Sequence, residues 1–172
     1  HRGSVRAEDR RVGSPRSLRW VAGPRHCRSH EYPTSVQAVV TTGGRIFTIF
    51  DEAPTGVFEK LPQKCTLIAR DAFSGVLLWK VPLRKWGAEY GTGRGARWGI
   101  HHTLPRRLVA LGDRVYVTLQ FQHAPVSVLD AATGDILVEA LDGTKGSDEL
   151  VVDDGILAAV LTVTACETVT QT

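Results

Sequence analysis

The sequence predicts an all-β chain assembled from repeated antiparallel units of four strands. Three observations carry that expectation. From Val36 onward the apolar residues fall in short runs rich in Val, Ile, Leu, Phe and Tyr, broken by Gly or Asp turns, and no apolar stripe at i, i+3, i+4 spacing reaches helical length. In the run Arg45–Phe50, Ile46, Thr48 and Phe50 point to one face and Phe47 and Ile49 to the other. Both faces are substantially apolar, so the strand is expected to lie between stacked sheets. One string also occurs twice: LIARDAFSGVLLW (Leu67–Trp79) aligns with SVLDAATGDILV (Ser127–Val138), setting Asp71 over Asp130 and Gly75 over Gly134.

Residues 1–30 contain eight arginines against Glu8 and Asp9, a local charge of +6, while the other 142 residues sum to −3 within the total of +3. Without helical periodicity, and without aromatics before Trp20, this stretch is expected to be an irregular basic segment or linker. An arm for nucleic acid or an anionic membrane surface is the alternative, and it ranks last. The first unit, 36–83, opens with a hairpin from Gln37–Val40 through Gly43-Gly44 to Arg45–Phe50 and continues into the Leu67–Trp79 string. The second, 104–140, opens with Arg107–Leu111, turns at Gly112-Asp113 into Arg114–Phe121, and continues into Ser127–Val138. In both strings an Asp can accept from the amides of its own turn while Gly takes a left-handed conformation. A third, incomplete unit at 148–172 begins with ELVVDDGILAAVL (Glu149–Leu161), and loops fall at 51–64, 84–103 and 141–147.

Each unit has the size of one blade of a β-propeller, so the chain is expected to hold about two and a half blades. Closed propellers typically have 4–8, so this chain is not expected to close alone. Its first blade and last strand should present unpaired edges unless further sequence or another copy covers them.

Composition narrows the classes. A chain of 172 residues, 42% hydrophobic and 23% charged, can build one globular core and is neither wholly disordered nor collagen-like. No run approaches the roughly 20 uncharged apolar residues of a membrane span. No apolar signal region follows the early positive residues. With no methionine anywhere and His1 in first place, a processed chain or fragment is expected. Cys27, Cys65 and Cys166 are odd in number and widely spaced, matching neither a disulfide framework nor a zinc ribbon. Reduced thiols are the default, and one bridged pair in an oxidising compartment stays open.

The pattern D-A-x-[ST]-G-x-x-x-W, here Asp71-Ala72-Phe73-Ser74-Gly75-Val76-Leu77-Leu78-Trp79, resembles the repeat of β-propellers of the pyrroloquinoline-quinone (PQQ) type. GDRVYV (Gly112–Val117) is similar to that family's preceding hairpin, and the likeness covers 36–161. It implies blades in which the tryptophan docks against its neighbour, with weaker docking where Val138 takes that place. The resemblance spans quinone-dependent dehydrogenases and non-catalytic propellers similar to the outer-membrane assembly lipoprotein BamB. The dehydrogenases use adjacent cysteines over the quinone and a metal held by Glu, Asn and Asp. This sequence has no adjacent cysteine pair and no asparagine, so that site does not carry over. The opening Arg19–Gly56 also looks like the start of large bacterial multi-blade proteins, some with a methyltransferase domain, whose glycine loop is missing here.

Two clusters are the candidates for binding. His26, Cys27, His30 and Glu31, flanked by Arg25 and Arg28, are metal-competent but crowded by arginines, and a hydrogen-bonded loop at the propeller mouth is the stronger reading, with no metal expected. Arg94, Arg97, Trp98, His101 and His102 lie in a glycine-rich loop suited to an anionic or aromatic ligand, against the plainer reading of an inter-blade connection whose Trp98 caps the core. Asp51-Glu52 could ligate calcium or pair with those arginines, although a solvated turn is the commoner fate of such a pair. No catalytic residues are assigned, since no ordered triad accompanies the serines near His26 and His30.

The leading expectation is a non-catalytic binding or scaffold portion of a periplasmic or otherwise extracytoplasmic propeller. Its partners would be the remaining blades or another protein, with a small ligand as a further option, and no cofactor is expected in this segment. The alternative is a fragment of a PQQ-dependent oxidoreductase whose quinone and calcium site lies in blades outside this sequence.

Overall fold

The computed structural model describes residues 18–22, 36–52, 64–84, 86, 104–121 and 123–161. Val36–Thr42 (β1), Arg45–Asp51 (β2), Cys65–Asp71 (β3) and Leu77–Pro82 (β4) form one four-stranded antiparallel sheet in the order β1-β2-β3-β4. Leu108–Leu111 (β5), Arg114–Thr118 (β6), Val126–Asp130 (β7) and Ile136–Val138 (β8) repeat that order in a second sheet. Ser147–Asp153 (β9) and Ile156–Leu161 (β10) pair as a hairpin, the start of a third unit. A 3-10 turn, Leu104–Arg107, leads into β5, so Arg107 precedes the strand rather than opening it. The fold is therefore all-β, with two four-stranded propeller-type blades and half of another, and it does not close on itself among the described residues.

The two sheets correspond in register as well as in order. Arg45 pairs with Asp71 in the first and Arg114 with Asp130 in the second. Trp79 stands opposite Ala69, Val138 stands opposite Val128, and each outer pair of strands carries an irregularity one residue further on. The first strands lie side by side, β1 against β5 and β5 against β9, so successive sheets splay outward from a common inner edge.

The main core fills the gap between the two sheets. Phe47, Ile49, Leu67 and Ala69 from the first meet Val115, Val117 and Leu129 from the second, and all are fully buried. This is the facing that period-two alternation predicts for β2. Leu83 and Trp86, on the connection leaving β4, extend this core. Trp86 donates its indole N–H to the Thr118 carbonyl at 2.8 Å and meets Phe121 edge-on at 6.2 Å. The connection is further tied down by the Arg84 amide donating to the Leu119 carbonyl at 3.1 Å.

The third unit is joined to the second by charge and a ring. The Arg107 guanidinium is buried, donates to the Phe121 carbonyl, pairs with Asp148 of β9, and sits 4.2 Å from the Phe121 ring centre. Among the described residues no helix is long and apolar enough to cross a membrane.

Candidate functional site

The repeated string builds the same turn twice. The Asp71 carboxylate accepts from the amides of Phe73 at 3.0 Å and Ser74 at 2.7 Å, and from the Ser74 hydroxyl at 2.7 Å. The Asp130 carboxylate accepts from the amides of Ala132 at 2.7 Å and Thr133 at 3.0 Å. In each turn the glycine amide returns to the Asp carbonyl at 2.9 Å, Gly75 to Asp71 and Gly134 to Asp130. The residue after each Asp reaches back to the preceding hairpin turn, Ala72 to the Gly44 carbonyl and Ala131 to that of Asp113, both at 2.9 Å. The Ser74 amide and hydroxyl hold the Asp71 carboxyl below its ordinary 3.8, and the Thr133 and Ala132 amides do the same for Asp130, because donors aimed at a carboxylate favour its charged form.

These turns receive a tryptophan from the neighbouring unit. The Trp79 indole N–H, at the outer edge of the first sheet, donates to the Ala131 carbonyl at 3.2 Å, and its ring lies over Gly134. A Cβ on Gly134 would stand 2.7 Å from that ring, and the residue has φ +80°, so both space and backbone call for glycine. The first sheet holds a second instance. Trp20 donates its indole N–H to the Ala72 carbonyl at 3.1 Å and covers Gly75, where a Cβ would stand 2.5 Å from the ring. Each tryptophan reaches a carbonyl 52 residues further along the chain. Trp20 and Trp79 are themselves 59 residues apart, as are Asp71 and Asp130.

Sequence reading left Trp20 in the basic segment. The usable signal was Leu18-Arg19-Trp20 against Leu77-Leu78-Trp79 at the repeat interval, though Val12 and Arg16 stand where the repeat has its Asp and Gly.

The face of the first sheet turned away from the core forms a cleft of about 560 Å³. Trp20 borders it, Val39, Ile46, Thr48, Phe50 and Ile68 supply its floor, and Asp51, Glu52 and Arg70 add polar groups. The acidic pair is engaged by protein donors rather than standing in a solvated turn. Asp51 is buried and its carboxylate accepts from the Lys64 amide at 2.9 Å. The Glu52 carboxylate accepts from the Thr66 hydroxyl at 3.1 Å and pairs with the Lys80 ammonium. Burial of Glu52 works against its charge, but Lys80, Thr66 and Lys64 outweigh it and hold the carboxyl below its ordinary 4.5. Amide, hydroxyl and ammonium donors thus hold both side chains against the sheet.

The sequence-predicted binding residues Arg25, His26, His30, Arg94, Arg97, Trp98, His101 and His102 lie outside the described residues, as do Cys27, Glu31 and Cys166. Cys65 begins β3 and is buried. The five residues named for the repeat, Asp71, Gly75, Trp79, Asp130 and Gly134, come together at successive sheet-to-sheet junctions. No protein-family model matches the chain, and no curated protein matches it significantly.

Proposed function

We propose that this chain is the non-catalytic binding or scaffold portion of a β-propeller of the PQQ-repeat type, working outside the cytoplasm. The observation that carries the reading is the recurrence of the tryptophan-on-glycine junction, Trp20 on Gly75 and then Trp79 on Gly134, each with an indole N–H on the carbonyl after the turn Asp. Such a junction is rigid and built from apolar area and backbone hydrogen bonds, which suits presentation of loops rather than proton or electron transfer. The reading is further supported by the sequence, which supplies neither the adjacent cysteines nor the asparagine that quinone dehydrogenases of this repeat type use. No reaction step is assigned to this chain.

The test is direct titration of the full chain with PQQ and Ca²⁺, followed by a dye-coupled oxidation assay with alcohols and sugars. The expected result is no quinone absorbance retained after desalting and no turnover. Stoichiometric retention of the quinone, or dye reduction dependent on it, would replace the scaffold reading with the oxidoreductase one. Export is checked separately by locating the protein expressed from its native gene, where a cytoplasmic pool alone would remove the extracytoplasmic part of the proposal.

A further inference from the structure

The first and third units both reach the second at the stretch between β6 and β7, and they meet there at one ring. From the first unit, the Trp86 indole N–H donates to the Thr118 carbonyl at 2.8 Å and the Arg84 amide to the Leu119 carbonyl at 3.1 Å, while the Trp86 ring meets Phe121 edge-on at 6.2 Å. Toward the third unit, Arg107 donates to the Phe121 carbonyl, lies 4.2 Å from the centre of its ring, and pairs with Asp148 of β9. The amides of Gly146 and Ser147, at the entry to β9, donate to the Ala124 carbonyl at 3.1 and 3.3 Å.

Phe121 lies beyond the last ladder pair of its sheet, Thr118 with Val126, so packing and side-chain contacts rather than strand pairing set its place. Trp86, Phe121 and Arg107 are 2%, 7% and 4% exposed, and in a close-packed interior a shift of one must be taken up by the next. Both contacts of Arg107 with Phe121 depend on where that residue sits, since the cation needs the ring and the guanidinium N–H needs the carbonyl. The third unit relies the more on this arrangement because the neighbouring outer strand carries Val138 in the tryptophan place.

We propose that Phe121 couples the two junctions of the second sheet, so that the connection leaving β4 and the β9–β10 hairpin loosen and tighten as a linked pair. Trp86 holds the ring where Arg107 can contact it while gripping Asp148. Release of Asp148 frees Arg107 to move, which removes the constraint on the Phe121 side chain and carbonyl and so loosens the packing of Trp86. Linkage of this kind runs in both directions, and loss of Trp86 should loosen the hairpin in turn. Only register, burial and contact geometry enter, so the coupling stands or falls apart from the scaffold reading.

Hydrogen exchange of the indole N–H groups, followed by NMR on the full chain, tests the coupling. The probe is the Trp86 indole N–H, and the control is that of Trp79, which donates to the Ala131 carbonyl at the opposite end of β7. Asp148→Asn removes the charge that Arg107 grips and leaves an oxygen to accept from it. It should raise Trp86 indole exchange about three- to tenfold, within the range for residues that share one network, and leave Trp79 within about twofold of wild type. In a Phe121→Leu background the same substitution should leave the Trp86 rate unchanged, because the connecting ring is gone. In the reverse direction, Trp86→Leu should speed exchange of the β9 amides by about threefold or more, and this too should vanish in the Phe121→Leu background. An unchanged far-ultraviolet circular dichroism spectrum verifies the fold of each variant. Equal acceleration of both indoles, no acceleration of either, β9 amides that ignore Trp86→Leu, or responses that persist without the Phe121 ring would each overturn the proposal.

Discussion

The Trp79–Gly134 junction and the Trp20–Gly75 junction are made of the same parts and stand in unlike surroundings. Both have an indole N–H on a backbone carbonyl and a ring laid on a left-handed glycine. Trp79 belongs to a complete sheet, is 8% exposed, and has the Phe47 ring 5.7 Å away. Trp20 is flanked by Leu18 and Val21, which are 85% and 81% exposed. The comparison teaches that the hydrogen bond and the glycine set where the tryptophan goes, while the sheet behind it sets how much that placement stabilises.

The largest expected effect breaks the stronger junction. Trp79→Ala should destabilise the chain by about 3–5 kcal/mol, the usual range for removing a buried tryptophan, whereas Trp20→Ala should lower global stability by under about 1 kcal/mol. Chemical denaturation of both variants checks the difference, and equal losses would mean that the two junctions are energetically alike.

The junction between the second sheet and the third unit supplies a case without an indole on the outer strand. Val138 stands at the tryptophan position and is 38% exposed, and the buried Arg107–Asp148 pair ties the inner strands instead. Arg107→Met removes the guanidinium from Asp148 and from the Phe121 carbonyl and ring. A loss of about 3 kcal/mol is expected, at the low end for a broken buried pair because Asp148 keeps some contact with solvent. Amide exchange should show β9 and β10 opening before β2 and β3.

A smaller contrast comes from the glycines. Gly134→Ala adds a strained backbone and a collision with a ring that cannot move aside, for an expected loss of about 2 kcal/mol. Gly75→Ala carries similar backbone strain, but the Trp20 ring is only partly buried and its neighbours Leu18 and Val21 are exposed, so about 1 kcal/mol is expected. Differential scanning calorimetry of the pair sharpens the comparison, since it separates backbone strain, common to both, from ring displacement, which is confined to one.

The smallest effect is acid sensitivity. The Asp71 and Asp130 carboxyls are held below 3.8 in the folded chain, so their contribution is complete above that value and disappears as pH falls through the lower folded values. A plot of Tm against pH should fall below about pH 4, and Asp71→Asn with Asp130→Asn should flatten it. An unchanged slope in the double variant would show that other carboxylates govern the acid response.

Much of the fold could be read from the sequence because its determinants are local. Alternation in Arg45–Phe50 assigned Phe47 and Ile49 to one face and Ile46, Thr48 and Phe50 to the other, as the strands are built. The spacing of Asp71, Gly75 and Trp79 announced a turn and an outgoing strand, since an Asp acceptor and a left-handed glycine act within five residues. Trp20 escaped notice for a complementary reason: Val12 and Arg16 stand where the repeat has its Asp and Gly, and its role depends on a carbonyl 52 residues away. The partners of Asp51 and Glu52 were illegible for the same reason, because the Lys64 amide, just ahead of β3, and the Lys80 ammonium of β4 reach them across the sheet.

By itself, the sequence determined the strands, the turns and the repeat that relates one sheet to the next. Only the tertiary structure decided that the face of the second sheet turned toward the first is core while the matching face of the first is a cleft. That face of the first carries Ile46, Thr48 and Arg70 where the second carries Val115, Val117 and Leu129, and burial itself is set by whether a neighbouring sheet stands within van der Waals reach, which strand alternation does not encode.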